Sequence, residues 1–245
     1  MGVYGLGRFG SFWADSLSNN LSVMGYSRNP TRQTGPKVQR VEEDELLECD
    51  VIFLCVAISA MEVVLRRIAP RLRSGTLVFD TCSVKVFPIK LMETILPANV
   101  KIIGTHPMFG PDSGKEGLTG LPLVMCKVRA AEDIVQDWRR KFEDLGLVVH
   151  DRTPEEHDHE AAYTQGVTHY MGRVLGELDL HASGLATLGY KKVLEIVEQT
   201  CNDPYQLFVD LQRYNPYTEE MRERLRSSLN KVQSILDRAE TNGDK

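Results

Sequence analysis

The feature that most constrains this chain is Gly5-Leu6-Gly7-Arg8-Phe9-Gly10, three glycines at G-x-G-x-x-G spacing between the β-type pair Val3-Tyr4 and a helix-like stretch over 9–19. In that setting each glycine contributes something different, namely a tight turn, close approach of backbone to a pyrophosphate, and close packing of helix on strand. The helix they open presents unpaired amide groups to an anion. The spacing by itself also occurs in ordinary turns, so its weight comes from the strand–turn–helix context. The reading is a dinucleotide site made by Gly5, Leu6, Gly7, Arg8, Phe9 and Gly10.

Further β-type runs at 21–26, 51–56, 76–80 and 100–104 alternate with helix-like segments, which predicts βαβ units and a mostly parallel sheet. The runs 51–56 and 76–79 are continuously apolar, as strands covered on both faces are. Another unit follows: a strand at 123–126, a helix with Ile134, Trp138, Phe142 and Leu145 on one face and Gly146 as its stop, then a strand at 147–150. Beyond Asp151 the β-type runs cease. Thr218, Glu219 and Glu220 begin a helix with an apolar stripe at Met221, Leu225, Leu229, Val232 and Leu236, and 241–245 should fray. The expected class is α/β: an N-terminal Rossmann-like, mostly parallel sheet domain over 1–151, then an all-α domain over 152–245.

A chain of 245 residues, 42% of them hydrophobic, can bury the cores of two modest domains. Its net charge of -5 offers no general attraction to polyanions, so no nucleic-acid partner is expected and an anionic ligand must find local cations. No apolar run reaches the ~20 residues of a membrane helix, and no signal-like n-region is seen. Cys49, Cys55, Cys82, Cys126 and Cys201 lack C-x-x-C or zinc spacing. They read as packed thiols in a reducing, cytoplasmic compartment with no metal and no membrane.

About 20 residues past the first glycine an acidic side chain would bond the ribose hydroxyl of NAD and repel a phosphate. The second strand ends instead in Gly25-Tyr26-Ser27-Arg28. Arg28, helped by Ser27, Thr31 or Arg32, can hold the extra phosphate, which favours NADP over NAD. The alternative is a solvated basic loop.

Ligands of open α/β sheets sit beyond the carboxyl ends of the strands. Cys55 and Val56 end one apolar run and join the cofactor candidates. Thr81-Cys82-Ser83-Val84-Lys85 and Thr105-His106-Pro107-Met108-Phe109-Gly110-Pro111-Asp112-Ser113-Gly114 follow two others. His106, at a strand end beside a stiff Pro/Gly loop, can take a proton from a hydroxyl as hydride leaves the same carbon. Ser83 can orient that hydroxyl or the imidazole, and it borders the cofactor. The alternative for His106 is a loop histidine satisfied by backbone. A phosphate-loop reading of 110–115 fails, since the glycine spacing is one residue short and Glu116 stands where Ser or Thr belongs.

Gln165 and His169 lie four apart, on one helix face, and suit a carboxylate or else form a polar surface. His157 and His159 fall in an acidic run that reads as a solvated helix start rather than a metal site. Asp203-Pro204-Tyr205-Gln206 has the form of a capped helix start.

Together the glycine fingerprint, Cys82-Ser83-Val84-Lys85, the 105–114 motif and the 165–173 segment resemble the prephenate/arogenate dehydrogenases of tyrosine biosynthesis, especially their plant-like branch. The resemblance runs from Gly2 to about Asn215. It implies a Rossmann domain and a helical domain that forms a homodimer, and an oxidative decarboxylation with prephenate or arogenate as small-molecule substrate. It matches His106 to the histidine that binds the ring hydroxyl, Ser83 to the serine beside it, and Gln165 and His169 to substrate positions; Ser113 and Thr200 fall within its motifs. Many members carry a helical-domain arginine in a motif absent here. An acidic residue where Asp203 stands is associated with arogenate preference. Two rivals remain: an NADP-binding redox sensor without turnover, and another two-domain hydroxyacid dehydrogenase using Lys191 or Lys192 as base.

Overall fold

The structure, a computed structural model, describes residues 1–243. Two compact units divide at His157/Asp158, some way past the change of texture at Asp151. In the first, β1 (Gly2–Tyr4) leads through the glycine turn into α1 (Arg8–Leu17), followed by β2 (Val23–Tyr26), β3 (Val38–Arg40), α2 (Glu43–Leu47) and β4 (Val51–Leu54). Then come α3 (Met61–Ile68), β5 (Leu77–Asp80), α4 (Val86–Ile95), β6 (Lys101–Pro107), β7 (Pro122–Arg129), α5 (Glu132–Asp144) and β8 (Val148–Asp151). The division between units falls within α6 (Pro154–Ala161).

The eight strands form one sheet in the order β3-β2-β1-β4-β5-β6-β7-β8, parallel throughout except for the β6–β7 pair. Strand order reverses on either side of β1, the arrangement that opens a ligand crevice at the carboxyl ends. Register makes that edge even: Tyr26 pairs with Tyr4, Tyr4 with Leu54, Leu54 with Asp80 and Asp80 with Gly104. The loops after β1, β2, β4 and β5 therefore leave the sheet side by side.

One strand differs from expectation. β6 does not stop at Gly104 but runs on through Thr105, His106 and Pro107, because β7 returns antiparallel beside it and pairs Val124 with His106. His106 is thus fixed in a ladder rather than carried on a loop.

An aromatic core holds the helices on the sheet. Phe53 and Phe79 stack at 4.5 Å between ring centroids, and Trp13 of α1 and Trp138 and Phe142 of α5 close over them. The buried face of α5 is Val135, Trp138 and Phe142, with Ile134 and Leu145 only partly covered. Its end is a Schellman turn: Leu147 N–H donates to Phe142 C=O and Gly146 N–H to Glu143 C=O, with Gly146 at φ +89°. The short β3 and α2 lack the length for a clear hydrophobic period.

The second unit is helical: a π-helical turn (Ala162–Gly166), α7 (Val167–Gly176), α8 (Leu188–Asn202), α9 (Tyr205–Tyr214) and α10 (Thr218–Gly243). Helices α7 and α8 approach closely because Gly172 has no Cβ to collide with Thr200. The stripe expected on α10 divides: Met221 is buried, while Leu229, Val232 and Leu236 are exposed. Residues 241–243 continue α10, and 244–245 lie outside the described residues.

Candidate active site

The three glycines occupy three different environments. Gly5 has φ +105°, and a Cβ there would strike the carbonyl oxygen of Cys55. A Cβ on Gly10 would collide with the Gly5 carbonyl, so this glycine lets α1 pack onto the turn. At Gly7 a Cβ would meet nothing within 4 Å. That residue is also the N-cap of α1 and contributes no side-chain cap, which leaves the first amides of the helix facing an open cradle. These residues fit a pyrophosphate. Leu6 is buried in the core, so only its backbone remains for a ligand. Half-buried Cys55 and Val56 wall the turn, and exposed Arg8 pairs with Asp112 at 2.5 Å, tying the fingerprint to the segment after β6.

Beyond β2 the loop over 27–32 is gathered by Arg40, which donates to the carbonyl oxygens of Ser27 (3.3 Å), Asn29 (2.8 Å) and Arg32. Arg28 and Arg32 are exposed and form no ion pair among the described residues. Ser27 is half-buried, its Oγ accepting from Asn29 N–H at 3.3 Å. Arg40 is a residue sequence reasoning missed, because its role depends on β3 lying next to β2.

After β5 the chain is organised by a fully buried ion pair. Lys85 Nζ donates to Asp80 Oδ2 and, at 2.5 Å, to the Thr105 carbonyl. Asp80 also accepts from Cys82 N–H at 3.0 Å and Thr105 N–H at 3.3 Å. The pair therefore ties half-buried Ser83 and its loop to the strand that bears His106. In sequence Lys85 stands out only as part of a motif. Ser113 is exposed, and its Oγ accepts from Gly110 N–H at 3.0 Å, closing a local turn.

His106 is buried, and its Nδ1 lies 2.8 Å from Nε2 of His157 with the two rings edge to face. The expected solvated helix start at 154–159 is half right. Thr153 Oγ1 accepts from Glu156 N–H at 3.2 Å while Glu156 Oε2 accepts from Thr153 N–H at 2.9 Å, a capping box that starts α6. His159 is exposed, but His157 is turned inward and buried. The capping box was the legible sign that a fixed helix, not a loose acidic run, carries this histidine.

In the helical unit Gln165 sits in the π turn rather than in an ordinary α-helix, a distortion often found at functional sites. Gln165 Oε1, His169 Nδ1 and Arg173 Nε are buried, and none has a hydrogen-bond partner among the described residues. They recur every four residues along one helical run. His169 Nε2 lies 3.8 Å from Asp203 Oδ2; burial holds the imidazole below its ordinary range, and Arg173 pushes the same way while Asp203 opposes. Arg173 donates to the Asp203 carbonyl at 2.7 Å and lies over Tyr205 and Phe208.

Two expectations need correction here. Asp203 does not cap α9: Pro204 holds the N-cap without a side-chain bond, and Gln206 bonds Asp210 instead of closing a box. Thr200 is wholly buried, its hydroxyl donated to Ile196 C=O at 2.8 Å, so it serves the α7–α8 contact rather than an open site.

Fold and site edge together define a dinucleotide-binding dehydrogenase. The family described as "Prephenate dehydrogenase, nucleotide-binding domain" matches residues 17–149, and "TYRAAT1-like, C-terminal domain" matches 174–244. Arogenate dehydrogenase 2, chloroplastic, of Arabidopsis thaliana is 37% identical over 96% of this chain and 69% of its own length. Arogenate dehydrogenase 1, chloroplastic, of the same plant is 36% identical over 96% of this chain but only 39% of its own length. In structure, prephenate dehydrogenase from A. aeolicus superposes with a TM-score of 0.76 (20% identity, 97% of this chain and 90% of that one). Synechocystis arogenate dehydrogenase gives 0.70 (21%, 98% and 92%), and at such identities these two speak to the fold. The chain belongs to the prephenate dehydrogenase family, on its plant-like branch.

Proposed function

We propose that this chain oxidatively decarboxylates arogenate, with prephenate as the lesser substrate, using NADP. The observation that carries the reading is the row Gln165 Oε1, His169 Nδ1 and Arg173 Nε, three buried polar atoms awaiting a partner, with the Asp203 carboxylate beside them. Buried polar groups are costly unless paired, so such a row is what a polar ligand completes. A guanidinium and an imidazole suit a carboxylate, and a carboxylate suits an ammonium. Arogenate's amino-acid side chain presents both, whereas prephenate has a keto group where arogenate has the amine. Arg173 supplies a helical-domain cation where the family's usual arginine motif is missing.

NADP, when bound, supplies the hydride acceptor. The cradle at Gly7 receives its pyrophosphate, and exposed Arg28 and Arg32 its additional phosphate. His106 takes the proton of the ring hydroxyl as that oxygen becomes a carbonyl, and Ser83 orients the hydroxyl. Loss of carbon dioxide makes the ring aromatic, so the protein's work is positioning and deprotonation. Exposed Leu229, Val232 and Leu236 on α10 support the view that the helical unit pairs with a second copy. No helix among the described residues is long and apolar enough to cross a membrane.

The test is NADPH formation by the wild type and by His106→Ala, with arogenate or prephenate and with NADP or NAD. The expected result is turnover by the wild type, fastest with arogenate and NADP, and none by the variant. Binding of NADP without reduction on either substrate would favour a redox sensor.

A further inference from the structure

Three arginines meet at the loop after β2, and they are used differently. Arg28 and Arg32 are exposed and form no ion pair among the described residues, whereas the guanidinium of Arg40 is spent on backbone carbonyls. We propose that Arg40 is the positioning residue that sets the choice of NADP over NAD: it holds the 27–32 loop in the shape that presents Arg28 and Arg32 to the ribose phosphate, without itself binding that phosphate. The proposal rests on the NADP reading.

The loop carries a turn of its own. Thr31 donates its N–H and its hydroxyl to Asn29 Oδ1 at 2.9 and 2.8 Å, Asn29 N–H donates to Ser27 Oγ at 3.3 Å, and Arg32 N–H donates to the Asn29 carbonyl at 3.3 Å. These bonds all lie within the loop, and none of them ties it to the sheet. Arg40 supplies that tie. Its backbone stands in the β2–β3 ladder opposite Gly25, and the next residue, Val41, donates its N–H to the Gly25 carbonyl at 3.1 Å. From this anchor Nη2 reaches the carbonyls of Ser27 and Asn29 and Nη1 that of Arg32, so both ends and the middle of the loop are held by one planar group.

A guanidinium has five N–H donors in a fixed fork. Three of Arg40's are taken by carbonyls, so a phosphate would have to displace the bonds that shape the loop. Lysine carries the same charge but donates from a single point on a flexible stem, which does not serve three carbonyls spread along a loop. The stretch 27–40 holds four cations, Arg28, Arg32, Lys37 and Arg40, and no acid. Nothing local neutralises them, so discrimination depends on where they are held. Arg28 and Arg32 repel each other, and a backbone shaped before the ligand arrives lowers the ordering cost of bringing both to one phosphate. NAD lacks that phosphate and gains nothing from the loop, while the pyrophosphate common to both cofactors meets the separate cradle at Gly7.

The experiment compares wild type, Arg40→Met, Arg40→Lys and Arg28→Ala. Arg40 is exposed, so its replacement should spare the core, and thermal melts check this. Fluorescence titrations with NADP and with NAD read affinity, and amide hydrogen exchange over 28–32, without cofactor, reads the loop. Arg40→Met should weaken NADP binding about tenfold or more, the scale of a charge-assisted bond network, and leave NAD binding near wild type. It should also speed exchange over 28–32. Arg28→Ala should weaken NADP binding with exchange unchanged, because it removes a phosphate contact and not a loop contact. Arg40→Lys should follow Arg40→Met in both readouts. Full NADP affinity in Arg40→Lys would mean that charge alone suffices, and unchanged exchange in Arg40→Met would mean that the loop holds itself; either overturns the proposal, as does an equal loss of NADP and NAD binding. A wild type that binds NADP no tighter than NAD sinks the NADP reading and this proposal with it, whereas a wild type that prefers NADP beside an unaltered Arg40→Met sinks this proposal alone.

Discussion

Arg173 donates from Nη2 to the backbone carbonyl of Asp203 at 2.7 Å, which fixes the residue whose carboxylate faces His169. The guanidinium is also stacked over Tyr205 and Phe208, with its carbon 5.6 and 5.7 Å from the ring centroids. Lysine cannot reproduce a planar group that donates and stacks at once. Hydrogen bonds to charged groups are worth about 1.5–3 kcal/mol, or roughly 10- to 100-fold. Both Arg173→Lys and Arg173→Gln should therefore lower kcat/KM for arogenate by about tenfold or more, chiefly through KM. Steady-state rates on both substrates check this, and an unchanged KM would assign Arg173 to helix packing alone.

The fingerprint glycines make opposite predictions. A methyl at Gly7 meets no atom within 4 Å, so Gly7→Ala should leave the apoprotein's melting temperature within the scatter of ordinary surface substitutions while weakening NADP binding about tenfold or more. A methyl at Gly10 collides with the Gly5 carbonyl, so Gly10→Ala should lower the melting temperature of the apoprotein as well. Melts without cofactor, paired with fluorescence titrations of NADP, separate the two. Equal loss of stability in both variants would mean that Gly7 is needed for the turn itself.

His169 makes stability depend on pH. Burial, the larger cause, and Arg173 hold its imidazole below the ordinary value of 6.5, and Asp203 only partly opposes them. The unfolded chain therefore binds a proton near pH ~6.5 that the folded chain still refuses. The stabilisation is full above that pH and is lost as pH falls through the lowered, folded-state value. Relative to His169→Gln, which cannot titrate, the wild type should lose stability between about pH 7.5 and about pH 5.5. Denaturant melts across that range measure it, and a gap that stays constant or widens on acidification would contradict the assignment.

What the sequence disclosed follows from how local each signal is. The glycine turn, the apolar runs of β4 and β5 and the Gly146 stop of α5 are written in neighbouring residues, and each is where patterning puts it. His106 was visible as chemistry, but its setting was not: β7, from across a loop, turns it from a strand-end residue into a ladder residue. Asp203 looked like a cap because Asp-Pro-x-Gln fits a helix start, yet the backbone places Pro204 at the cap and leaves the carboxylate facing His169. The helix that carries His157 was legible, but the contacts of His157 and Arg173 were not, because their partners are distant in sequence, 51 residues away for His106 and 30 for Asp203. Arg40 reaches the 27–32 loop only because β3 lies beside β2.

The buried Asp80–Lys85 pair is the remaining test of how the site is held. Both side chains are wholly inaccessible, and the pair also satisfies Cys82 N–H, Thr105 N–H and the Thr105 carbonyl. Removing one partner leaves an uncompensated charge, which costs about 3–5 kcal/mol, whereas removing both charges is often nearly neutral. Asp80→Asn and Lys85→Met should each be strongly destabilising. The double variant should be more stable than the sum of the two losses requires, by about 2 kcal/mol or more, because no buried charge is then left uncompensated. The asparagine replacing Asp80 keeps an oxygen for only one of the two backbone amides, which reach different carboxylate oxygens in the wild type. Denaturant melts of the four proteins give this coupling. The double variant should nonetheless turn over slowly, since nothing then ties the Ser83 loop to the Thr105 carbonyl. A double variant with wild-type kcat would show that the pair serves stability alone.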